Sequence, residues 1–199
     1  MKLLLGCTFS AAALLIASGV GQAAPPQLKG QYGFTGSAHC IVSASPFDSN
    51  FQATGFTTVN SFSVEGVRTF KGDGTGTIKG RSVSITPPPV GSPPVTPISG
   101  SSGDFSAQFT YVVDGSGGFT TEIVPGTFLG QNVAGPGAGA TWTLDRLSLH
   151  GLISQDKQTL TLASVAPVME TQTFLTGPIA GQTRYRICHR SRVLIWMGN

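Results

Sequence analysis

Near the end of the chain Arg184, Arg186, Arg190 and Arg192 recur at even spacing, with Cys188 among them. In an extended strand successive side chains alternate between faces. The four guanidinium groups therefore share one face, and Tyr185, Ile187, His189, Val193 and Ile195 share the other. A row of guanidiniums is a donor array for phosphate, sulfate or carboxylate groups, and it would give the chain an anionic surface polymer as partner. The reading the pattern favours is plainer: a solvated outer face whose charge discourages edge pairing. On that reading Cys40 reaches Cys188 from outside.

The carboxylates come next. Glu65, Glu122, Asp145 and Glu170 all fall in expected strands. Glu65 and Glu122 lie on the polar parity of theirs, so solvation accounts for them. Asp145 and Glu170 can each line an interior, which opens an isomerase or cyclase built on one carboxylate as the alternative function. Asp73-Gly74-Thr75-Gly76 is similar to short calcium-binding repeats, but its one near-copy starts 41 positions on at Asp114. Calcium arrays need tandem copies at short period, so a tight turn is the better reading. His39, His150 and His189 have no metal-ligand spacing, and no Gly-x-Ser-x-Gly elbow occurs. Gly135-Pro136-Gly137-Ala138-Gly139 lacks the lysine of a phosphate loop. No catalytic residue, metal or cofactor is assigned, and the reading leans away from an enzyme.

The elements that must position these residues are strands. The chain is rich in glycine (27 residues) and low in charge (11%), with Phe, Val, Ile and Leu recurring throughout, which separates it from a disordered chain. Alternation is clear in Tyr32 and Phe34, in Phe62, Val64 and Phe70, in Phe105, Ala107, Phe109, Tyr111 and Val113, and in Phe119, Thr121 and Ile123. Leu160 and Leu162 continue it. Turns fall at Asp73-Gly74, Asp114-Gly115 and Asp156, with Gly74 and Gly115 at the positions that need positive φ. Pro87, Pro88, Pro89, Pro93, Pro94 and Pro97 make 86–99 a loop, because proline removes ladder donors. No window outside the first residues has a helical period. The expectation is an all-β antiparallel up-and-down meander of 8–10 strands closing into a barrel. Inward Phe105, Phe109, Tyr111 and Phe119 then form either a filled core or a pocket for a small apolar ligand; small barrels are usually filled.

Compartment follows from the start of the chain. Met1-Lys2, an apolar run over 3–20 and small residues at Gly21 and Ala23 read as a secretory leader cleaved after Ala23. Residues 24–199 remain as a single domain, periplasmic or extracellular, with no membrane span. Loss of Lys2 lowers the net charge from +3 to near +2, too small to imply nucleic acid. Cys7 leaves with the leader. In an oxidising compartment the default for Cys40 and Cys188 is one disulfide, the alternative two free buried thiols. Closing so long a loop contributes at most about 5 kcal/mol.

Gly30-x-Tyr32 on the first strand and Arg186 on the last resemble the calycin superfamily, where a Gly-x-Trp opens strand one and an arginine from the closing strand packs on that aromatic. The hairpin Phe70-Lys71-Gly72-Asp73-Gly74-Thr75-Gly76 is similar to those of small exported bacterial barrels, some related to the allene-oxide-cyclase-like barrels. The resemblance implies a β-barrel and carries over no catalytic residue. Together these readings describe an exported non-enzymatic barrel that binds a small apolar ligand or serves as an envelope or surface component.

Overall fold

The computed structural model describes residues 27–88 and 98–198. The expected leader, 1–23, lies outside these residues, as does the middle of the proline-rich loop. The strands are β1 (Lys29–Ser43), β2 (Thr57–Lys71), β3 (Thr75–Thr86), β4 (Ser99–Val113), β5 (Gly118–Ile123), β6 (Leu129–Ala134), β7 (Thr141–Leu144), β8 (Ser148–Ile153), β9 (Thr159–Ala163), β10 (Met169–Phe174) and β11 (Thr183–Gly198). β3 ends and β4 begins at the two limits of the proline-rich segment.

These eleven segments make an antiparallel meander closed into a barrel of eight strands. The difference from eleven to eight has a simple origin. β5 and β6 both pair with β4, through Phe109–Val113 and Ser102–Ser106 respectively, so they are halves of one strand interrupted at 124–128. β8 and β7 are likewise halves of a strand, pairing with β5 and β6. β9 and β10 both pair with β11. Pro125 and Pro167 lie in two of the gaps, where a residue without N–H cannot continue a ladder. The ring closes where β1 meets β11, from Tyr32 opposite Trp196 to Ser43 opposite Tyr185.

Inward glycines set the shape of the wall. Each of Gly66, Gly76, Gly80, Gly130 and Gly151 has an aromatic of its registered neighbour lying over it: Phe34, Phe109, Phe105, Trp142 and Phe119 in turn. A Cβ on Gly80 would stand 2.7 Å from the Phe105 ring. Glycine permits the tight coiling and the ring restores the apolar cover, a device that pins strand register.

One half of the barrel is filled. Phe70 sits at its centre, edge-on to Tyr32 (5.4 Å), Phe109 (5.2 Å) and Tyr111 (5.1 Å), with Phe119, Leu160, Leu162 and Leu194 around it. The buried phenols are satisfied: Tyr111 donates to the Leu28 carbonyl (2.6 Å) and Tyr32 to that of Lys157 (2.9 Å).

The three aspartate turns all close this same end. In each, the carboxylate accepts from the backbone N–H two residues on, at Thr75, Ser116 and Gln158, and from a nearby hydroxyl. Those hydrogen bonds hold all three carboxyls below the ordinary range. Gly74 has φ +83°. Gly115 requires correction: its φ is not positive, and the left-handed residue of that turn is Gly117, at +87°. In the third turn a lysine, Lys157, takes φ +58°.

Candidate functional site

The other half of the barrel is hollow. A cavity of about 470 Å³ extends from Arg68 to a rim that includes Pro136, Gly137, Pro178 and Ile179, the turns opposite the aspartate end. Its wall carries an aromatic series: Phe34 and Phe105 (6.5 Å between centroids), Phe105 stacked on Phe128 (6.0 Å), and Phe128 against Trp142 (5.0 Å). Hydroxyls of Ser82, Ser84, Ser101 and Ser102, with Asn60, Asn132 and Gln172, face the same space.

The arginine face points into this space. Arg186, Arg190 and Arg192 are buried, which overturns the expected solvated outer face; only Arg184, at the rim over the Phe174 ring (5.0 Å), is exposed. The reason is the disulfide. Cys40 and Cys188 are registered partners across the closing seam, bonded with Cα atoms 4.1 Å apart. Cys40 shares its parity with inward Tyr32 and Phe34, so Cys188 and every second residue of β11 face inward too.

Glu170 is the one acidic residue buried among those described, 1% exposed. It accepts from Arg186 Nε (2.8 Å) and from both terminal nitrogens of Arg190 (Nη2 at 2.7 Å). Burial pushes its carboxyl up, but the charges of Arg190 and Arg186 outweigh this and hold it below the usual range. Arg186 also lies over the Trp142 ring, 5.7 Å from the centroid. Asp145, the other candidate carboxylate, is exposed in the break between β7 and β8, where it accepts the Thr171 N–H of β10 (2.7 Å). Glu65 and Glu122 stand on the outer face.

Among the described residues two buried arginines have no carboxylate in contact. Arg192 donates to the carbonyls of Ser37 and Ser191. Arg68, 4% exposed, donates to the Thr121 hydroxyl (2.9 Å) and sits over the Phe109 ring (4.9 Å). Burial pushes Arg68 down to about 10. Burial, then the like charges of Arg190 and Arg68, push Arg192 down to about 9 against a smaller opposing effect of Glu170. Both remain cations at neutral pH.

Of the four aromatics expected to form a core or pocket, Phe105 lines the cavity, while Phe109, Tyr111 and Phe119 belong to the filled half. Arg68, Phe128 and Trp142 are additions from the structure. Arg68 was marked by its parity, since it alternates in phase with Phe62, Val64 and Phe70. The packing of Arg186 on Tyr32 that a calycin resemblance implies is not made: Tyr32 is opposite Trp196 and Arg186 opposite Val42, at different ends of the seam. His39 and His189 are cross-strand neighbours on the outside, and no group of three or more His, Cys, Asp or Glu that could hold a metal occurs among the described residues.

No protein-family model and no curated protein matches this chain.

Proposed function

We propose that this chain is a non-enzymatic binding barrel that holds a small, largely apolar molecule in its hollow half. The observation that carries the reading is the division of one barrel into a packed aromatic floor and a cavity of about 470 Å³ with an aromatic wall, a size typical of small-molecule sites. An isomerase or cyclase needs a free carboxylate, and the buried candidate is already engaged by two guanidiniums. A lipid-facing barrel is disfavoured by Glu65, Lys79, Arg81, Asp104 and Glu122 on its outer surface. Export, with residues 1–23 removed as a leader, fits a barrel whose closing seam carries a disulfide. The test is Nile red fluorescence with the purified protein, alone and with Ser84→Trp, which fills the cavity from β3. Saturable binding that the variant abolishes without lowering the unfolding temperature supports the proposal; no binding to the wild type overturns it.

A further inference from the structure

We infer that the occupant of the cavity is an amphipathic oxyanion, its charged group seated between Arg68 and Arg192 and its apolar body along Phe105, Phe128 and Trp142. This rests on the binding-barrel reading and names the ligand class. Among the described residues five guanidinium groups line the cavity, those of Arg68, Arg184, Arg186, Arg190 and Arg192, and no carboxylate does. Glu170, behind the lining, answers Arg186 and Arg190. Arg68 and Arg192 touch neutral groups only, a hydroxyl, a ring face and two carbonyls, and Glu170 reaches Arg192 only as the smallest of the charge effects on it. Buried cations without a countercharge are costly, and elsewhere in folded proteins they are paired or hold a ligand. Both line the one cavity, and the charge of Arg68 is felt at Arg192, so a single oxyanion group lodged there can answer both.

The wall is also shaped for the cation. Gly36, opposite Arg192 across the seam, is the one inward glycine among the described residues that a charged side chain covers, where Gly66, Gly76, Gly80, Gly130 and Gly151 have an aromatic over them. A Cβ at residue 36 would stand 2.7 Å from Arg192 Cδ. The stem of Arg192 therefore lies flat across β1, and its guanidinium reaches the Ser37 carbonyl. Arg184 at the rim adds a positive entrance that draws anions inward.

The chemistry of the head group, carboxylate or phosphate, is separated by the test. Calorimetric titration of the disulfide-intact protein compares decanoate, decyl phosphate, decanol and inorganic phosphate. At least one decyl anion should bind about tenfold or more tighter than decanol, the scale of one charge-assisted hydrogen bond. Arg192→Met and Arg68→Met should each erase that preference while leaving decanol binding in place. Equal affinity for anion and alcohol in the wild type overturns the inference but spares the binding barrel; failure of decanol and Nile red alike overturns the barrel reading. Inorganic phosphate binding as tightly as decyl phosphate overturns the apolar body. Should the methionine variants not fold, the wild-type comparison decides alone.

Discussion

Replacing Glu170 with glutamine is the sharpest perturbation of this interior. The substitution keeps shape and removes the only buried carboxylate among the described residues, leaving Arg186 and Arg190 side by side without a countercharge. Removing one partner of a buried ion pair typically costs about 3–5 kcal/mol. For a chain of this size each kcal/mol moves the unfolding midpoint by about 2–4 °C, so a fall of roughly 6–20 °C is expected. Thermal unfolding followed by circular dichroism at pH 7 measures it. The folded carboxyl titrates below its unfolded value, so its contribution is complete above the ordinary glutamate range, near pH 4.3. It is lost as pH falls through the lower folded value, where wild type and variant should converge. The triple replacement of Arg186, Glu170 and Arg190 by methionine should cost much less than Glu170→Gln alone, because it removes every charge of the cluster together. A Glu170→Gln midpoint within about 2 °C of wild type at pH 7 would refute the claim that this carboxylate is tightly coupled to the two arginines.

Two further predictions concern the closed end and the seam. Gly117→Ala should destabilise by about 1–2 kcal/mol, because φ is +87° there, whereas Gly115→Ala should be near neutral; urea unfolding distinguishes them. Cys40→Ser with Cys188→Ser opens a link across 148 positions and should lower stability by about 2–5 kcal/mol; reductant should do the same to the wild type and nothing more to the variant.

The period-2 pattern was enough to read an all-β meander, because a barrel with one wet face and one inner face prints alternation directly into strands such as β4. The strand breaks were not legible. Phe119, Thr121 and Ile123 face inward before the break, and Phe128 and Gly130 after it, so parity flips within one strand and no single alternation spans it. The arginine face is inward, against the expectation for charged residues. Charged residues are assigned outward by default, yet the parity of Tyr32, Phe34 and Cys40, carried across an expected disulfide, already placed Cys188 and its arginines inside. The hollow half stayed invisible because filled and open interiors are lined by the same residue types. Phe105 and Phe109, four residues apart on one strand face, end up in the cavity wall and in the packed floor respectively.

Native mass spectrometry of the protein purified under gentle conditions at neutral pH shows whether the hollow half of the barrel holds an anion. A stoichiometric adduct of a few hundred daltons (on the order of a drug-sized ligand) is expected, released on unfolding and detected as a negative ion. If none is retained, added decyl phosphate should give a one-to-one complex. A bare protein mass that takes up neither decyl phosphate nor decanoate would contradict an anion held there.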